Sequence, residues 1–99
     1  MSLINLLQED PTFSFGIVGM TAGVQALVQN GELEPLEYLV RHLQGDWGEI
    51  SEEDRQRNAD ALVHGNRVLS SYQLPGGQCL WILTEADRSI TTLLMPEEY

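Results

Sequence analysis

The sequence predicts a small α+β domain: about three helices packed on one face of a small antiparallel sheet. The sheet is a three-stranded C-terminal meander with a candidate fourth strand from the N-terminal region. Three observations carry this reading. Leu36, Leu39, Val40 and Leu43 recur at i, i+3, i+4, i+7, the spacing of a single apolar helix stripe. After Gly65 the apolar period switches to two. The segments in that second region are joined by short connections, Pro75-Gly76-Gly77 and Glu85-Ala86-Asp87-Arg88, which suit antiparallel neighbours.

Taken in order, residues 1–12 read as a weakly ordered lead-in whose Leu3, Ile4, Leu6 and Leu7 are followed by a helix-breaking Glu9-Asp10-Pro11. Phe13, Phe15 and Ile17 alternate with Ser14, Gly16 and Val18, the pattern of a strand that Gly16 and Gly19 weaken or bulge. Thr21 is placed to cap a short helix over 22–29, which Asn30-Gly31 stops. Pro35 suits the first position of the next helix, and Gly45 ends it. Ser51 caps a third helix that begins with Glu52, Glu53 and Asp54, three acids that complement the helix dipole. Its apolar face, Ala59, Leu62 and Val63 with Ala61 as an extension, is thin, as in a surface helix. Val68 to Leu74 alternates. Cys79 to Leu83 is a continuous apolar run, which predicts a strand covered on both faces. Ser89 to Met95 is the last strand, stopped by Pro96. Tyr72, Leu80, Trp81, Ile82, Leu93 and the Leu36–Leu43 stripe are the expected core. A bare meander has open edges, to be covered by Phe13–Val18 or by a second copy of the chain in a homodimer.

The 99 residues make one domain, with no linker or repeat. Fifteen Asp and Glu face five Arg and no Lys, a formal net charge of −10. Such a chain is unsuited to binding nucleic acid directly, since phosphate contacts need clustered Arg and Lys. It is equally unsuited to an anionic membrane surface. No apolar run approaches the ~18 residues of a membrane span, and residues 1–7 lack the basic n-region of a signal peptide. One cysteine, Cys79, makes no internal disulfide, in keeping with a reducing cytoplasm. The chain has no phosphate loop and no zinc spacing, so no cofactor and no metal are implied.

The strings His42-Leu43-Gln44-Gly45-Asp46-Trp47-Gly48, Asn66 to Tyr72, Leu80 to Thr92 and Pro96-Glu97-Glu98-Tyr99 resemble a family of small bacterial plasmid-related proteins. The GDWG and TEADRS-x-TT strings are the specific part, and the resemblance spans about residues 34–99. It implies a mobile genetic element as the setting and a host cytoplasm as the location. It implies no activity.

Three constellations are candidates for function. His42, Asp46, Trp47 and Glu49 lie at the end of the second helix, where a His–Asp pair can orient an imidazole for proton transfer. The ordinary alternative has His42 facing the helix dipole, Asp46 capping a turn and Trp47 closing the edge of the core. Thr84, Glu85, Asp87, Arg88, Thr91 and Thr92 surround the last hairpin loop, where paired carboxylates serve acid–base chemistry if one is buried. The alternative has the acids accepting turn amides, Arg88 pairing with one of them, and the threonines on exposed strand positions. Glu49 with Glu52, Glu53 and Asp54 is the densest acidic patch, and Glu32, Glu34 and Glu37 form a second.

These features favour a non-enzymatic interaction module whose acids, with Trp47 and Arg88, engage a basic protein partner. In the mobile-element setting that reading becomes a mimic of DNA charge that inhibits a host defence system such as restriction or CRISPR. The competing readings are a small hydrolase or nuclease built on His42/Asp46 or Glu85/Asp87, and a toxin–antitoxin or regulatory partner.

Overall fold

The computed structural model describes residues 13–99, so the expectation of a weakly ordered lead-in at 1–12 lies outside the described residues. The elements run β1 (Ile17–Met20), α1 (Ala22–Gln29), α2 (Pro35–Leu43), α3 (Glu52–His64), β2 (Val68–Gln73), β3 (Cys79–Thr84), β4 (Ile90–Leu94) and a closing 3-10 turn, Pro96–Glu98. The fold is α+β as the sequence predicts, with one four-stranded sheet in the order β1-β4-β3-β2.

The C-terminal meander is present: β2 pairs antiparallel with β3, and β3 with β4. The N-terminal strand is also present, but it runs parallel to β4, with Ile17 opposite Ile90. The sheet is therefore mixed rather than antiparallel. Parallel neighbours cannot be joined by a hairpin and need a crossover. Here the chain leaves β1 at one edge and reaches β2 at the other through all three helices. β1 is also shorter than the Phe13–Val18 pattern suggests. Gly16 sits at φ +64°, where a Cβ would lie 2.2 Å from the Ser89 carbonyl oxygen, so the extended run starts only after it.

Strand register sets two faces. Val68, Ser70 and Tyr72 lie beside Thr84, Ile82 and Leu80, and these beside Thr91 and Leu93. This inner face packs with Val24 of α1, Leu33, and Tyr38 of α2 to form the main core. A second cluster, Trp47, Ala61 and Val68, seats α3 at the β2 side. On the other face Cys79 and Trp81 are half-buried, which corrects two expectations: Trp81 is not a core residue, and β3 is fully covered on its inner face only. Trp81 meets the Tyr99 ring edge-on at 5.7 Å instead.

The stripe on α2 is rotated from its expected position. Tyr38, Leu39, His42 and Leu43 are buried, whereas Leu36 and Val40 are half-exposed. Tyr38 displaces the stripe because its ring packs on Tyr72, 5.4 Å between centroids. On α3, Asn58 and Ala61 face inward while Leu62 and Val63 stay exposed, 36% and 77%. The predicted caps form at Ser51, whose hydroxyl accepts from the Asp54 amide at 3.0 Å, and at Gly65, which is left-handed. Thr21 does not cap α1 with its own oxygen. Its hydroxyl donates to Glu98, and the Glu98 carboxylate accepts the Gly23 amide at 2.8 Å, capping α1 from 75 residues away.

The β2 edge is sealed. The Asn58 amide donates to the Leu69 carbonyl at 2.7 Å, and its oxygen accepts the Leu69 N–H at 3.1 Å. Ser71 N–H donates to the Trp47 carbonyl, and the Glu49 N–H donates to the Ser71 carbonyl. The Glu49 carboxylate takes the Gln73 N–H at 3.0 Å. Every outward backbone donor of the strand from Leu69 to Gln73 thus has an acceptor.

Candidate functional site

His42 is fully buried beneath the sheet, and it does not meet Asp46. Its Nδ1 lies 2.5 Å from Ser70 Oγ and its Nε2 lies 2.9 Å from Thr84 Oγ1. Thr84 Oγ1 is 2.7 Å from Thr91 Oγ1, which donates to the Phe15 carbonyl at 2.8 Å. The proton inventory fixes every direction in this chain. Thr91 has one hydroxyl proton and gives it to a carbonyl, so it accepts from Thr84. Thr84 then has none left for His42 and accepts from Nε2–H. The neutral ring therefore accepts at Nδ1, from the Ser70 hydroxyl. Burial pushes the His42 pKa down to about 3, so the ring is neutral at ordinary pH.

A Ser–His contact can activate a nucleophile, but only an accessible one with an orienting acid behind the base. Ser70, Thr84, Thr91 and His42 are all 0% exposed, and a threonine stands where that acid would be. Phe13 closes over the imidazole edge-on at 5.3 Å. The arrangement is a saturated buried hydrogen-bond chain that ties α2 to β2, β3, β4 and the strand approach at Phe15. Thr84 and Thr91 are inner-face residues, which corrects their expected exposure.

Asp46 turns outward to Arg41, with Arg41 Nε donating at 2.7 Å and Nη2 at 3.3 Å. That pairing holds the Asp46 carboxyl below its usual range and raises the guanidinium. Arg41 in turn lies 4.6 Å over the Tyr72 ring. The Tyr72 hydroxyl donates to the Asp46 carbonyl at 2.6 Å, and burial pushes its pKa up. Trp47 is buried in the second core cluster, and its Nε1 has no hydrogen-bond partner among the described residues. His42 and Asp46 thus serve different neighbours, and the expected proton-transfer pair does not assemble.

The last hairpin loop is likewise occupied. Asp87 accepts the Ser89 hydroxyl and amide, and these bonds hold its carboxyl below the usual range. Arg88, at φ +61°, pairs with neither loop acid. It donates to the carbonyls of Asn66, Glu85 and Ala61, closing the C-terminal end of α3, and lies 5.5 Å over Phe13. That replaces the expected Arg88–carboxylate pair. Glu85 and Asp87 do not share a site with His42.

The acids of the two patches are spread between local tasks and solvent. Glu34 caps α2 through the Leu36 amide, and Glu49 serves the β2 edge. Glu53 and Asp54 flank Arg57 at 2.9 and 3.3 Å, and Glu52 is 3.9 Å from Arg55. Glu32 and Glu37 are exposed, and Glu37 has no partner among the described residues. An open groove of about 550 Å³ runs between α3 and the outer sheet face over Leu69 and Leu83, edged by Asp54, Asp60, Arg57 and Arg67. Among the candidate residues it takes only Asp54.

The residues that sequence reasoning missed are Asn58, Ser70 and Arg41. The first two carried a usable signal: a polar side chain on the buried side of an otherwise apolar pattern has to find partners. Among the described residues no group of three His, Cys, Asp or Glu side chains is placed to hold a metal, and no helix is long and apolar enough to cross a membrane. Comparison of the chain with family models, with curated proteins and with solved structures finds no match.

Proposed function

We propose that this protein is a non-enzymatic acidic interaction module that engages a basic protein. The observation that carries the reading is the disposition of its cations. Arg41, Arg55 and Arg57 are paired with carboxylates, and Arg88 is spent on backbone carbonyls. With no Lys and a net charge of −10, little positive charge remains to answer the exposed acids at Glu32, Glu37 and Glu97. A surface of this kind attracts a basic patch at long range, and the attraction weakens with salt.

The resemblance of the GDWG and TEADRS-x-TT strings to plasmid-related proteins extends the proposal. On that reading the chain works in a bacterial cytoplasm, and its partner is a host nucleic-acid-binding protein of a restriction or CRISPR system. Carboxylates presented in place of phosphates would occupy the DNA-binding surface of that partner. The test is capture from a host lysate at low salt, followed by binding of the purified partner across a salt series. The proposal expects a basic nucleic-acid-binding protein, binding that falls steeply with ionic strength, and displacement by DNA. Salt-independent binding, or a ternary complex with DNA, would overturn it.

A further inference from the structure

We propose that the chain forms a homodimer through the free edge of β1, paired antiparallel with β1 of a second copy. The two sheet edges differ sharply. β2 is sealed by Asn58, Trp47 and Glu49, whereas among the described residues nothing covers the outer edge of β1. The bonds Ile17 N–H to Ser89 and Thr21 N–H to Leu93 fix which residues of β1 face β4. Ile17 and Gly19 turn toward β4, so Val18 and Met20 turn outward. The Met20 carbonyl is taken by the Gln25 side chain. Both backbone groups of Val18, and the Met20 N–H, have no partner among the described residues. An open edge of this kind is a template for another strand.

Charge argues for a second copy as the occupant. Two chains of net charge −10 repel, so they can meet only where carboxylates are absent. Residues 11–31, which include all of β1 and α1, carry no charged side chain. The exposed residues of α1 are Ala22, Gln25, Ala26 and Gln29, all neutral. The carboxylate that does approach, Glu98, is turned onto Thr21 and Gly23. Exposed apolar groups gather at the same edge: Ile17 is 73% exposed, Val18 41%, and Ile90 beside them 37%.

The edge is also self-complementary. With Val18 opposite Val18 of the second copy, the two residues exchange both N–H···O bonds across a twofold axis, as an isologous interface requires. In that register Ile17 stands opposite Gly19 of the second copy, so each exposed isoleucine side chain covers a glycine.

Light scattering and sedimentation of the full chain over a concentration series test this. The expected result is a species of twice the 11.1 kDa chain mass, favoured by added salt, with the Val18 amide gaining exchange protection as concentration rises. Val18→Pro removes an outward N–H that the monomer fold does not use, and Ile17→Lys places charge on the interface. Each is expected to weaken the dimer at least about tenfold, the worth of one to two hydrogen bonds or a buried side chain, with the circular dichroism of the fold retained. A chain that stays monomeric at millimolar concentration overturns the proposal. So does a dimer that Ile17→Lys leaves intact or in which the Val18 amide stays unprotected.

Discussion

The Asn58 carboxamide pairs with the Leu69 peptide group as another strand would, donating at 2.7 Å and accepting at 3.1 Å. A helix side chain thereby terminates a sheet. Because Asn58 is 4% exposed, an unmatched partner cannot turn to water. Asn58→Asp keeps the acceptor, loses the donor and sets a carboxylate against the Leu69 carbonyl. It should cost about 2–3 kcal/mol in urea denaturation, the range for an unsatisfied buried polar group. Asn58→Ala strips both partners and should also promote association through the reopened β2 edge, visible as new high-mass species.

The buried hydroxyl chain gives a second expectation. Thr84→Val keeps the shape but leaves His42 Nε2–H without an acceptor and Thr91 without its donor. A loss of about 2–4 kcal/mol is expected in the same assay, from two defects of ~1–2 kcal/mol each. Ser70→Ala should cost less, because it removes one donor and leaves one ring acceptor unpaired.

Acid should destabilise the protein through His42 before it acts through the carboxylates. The folded-state pKa is about 3 against an ordinary 6.5, so the unfolded chain binds the extra proton between those values. Stability is then full above about pH 6.5 and falls as pH drops toward 3, by roughly 1.4 kcal/mol per unit in mid-window. His42→Gln, which can donate and accept at its amide, should lower stability at pH 7 but flatten the slope between pH 6 and 4. An equal slope in both proteins would show that the histidine is not the titrating group.

Glu98 supplies a separate acid dependence at lower pH. Hydrogen bonds from the Thr21 hydroxyl and the Met95 and Gly23 amides hold its carboxyl below the usual range. A depressed carboxyl stabilises the fold above its unfolded value and loses that contribution as pH falls through the folded one. Glu98→Gln should therefore melt below the wild type at neutral pH, and the two melting temperatures should converge in acid.

Gly48→Ala should be among the most damaging small substitutions. At φ +74° an added Cβ would lie 2.1 Å from the Ser71 carbonyl oxygen, against the backbone bridge that closes β2. Left-handed strain alone costs about 1–3 kcal/mol, and the clash adds to it. Gly31→Ala has similar backbone strain but open space around it, and it isolates the first effect from the second.

How much of this was legible in the sequence depends on how local the cause is. The helices, the meander and the Ser51 and Gly65 caps follow from spacing and turn chemistry within a few residues. The parallel pairing of β1 does not, because it depends on where three helices deliver the chain. Ser70, Thr84 and Thr91 sit on alternating positions that periodicity marks as inward, yet their hydroxyl chemistry suggests surface. Only the partner His42, 28 and 42 residues from Ser70 and Thr84, resolves the conflict. The same distance hid Arg41 from view as the owner of Asp46: once His42 is engaged with the sheet, the nearer cation takes the carboxylate. Candidate acids were legible as a composition and much less so as a surface, since several turned out to cap or clamp backbone.

The Glu98 clamp and the β1–β4 pairing set the order in which a growing chain can finish folding. Ile17 waits for Ile90, and the first helix waits for a carboxylate 75 residues downstream. Emerging from the ribosome, β1 and α1 have neither their neighbouring strand nor their helix cap, and both lie in the uncharged stretch. Completion therefore waits until β4 and Glu98 have been made. Cutting the chain between α3 and β2 should yield two pieces that fold only when mixed.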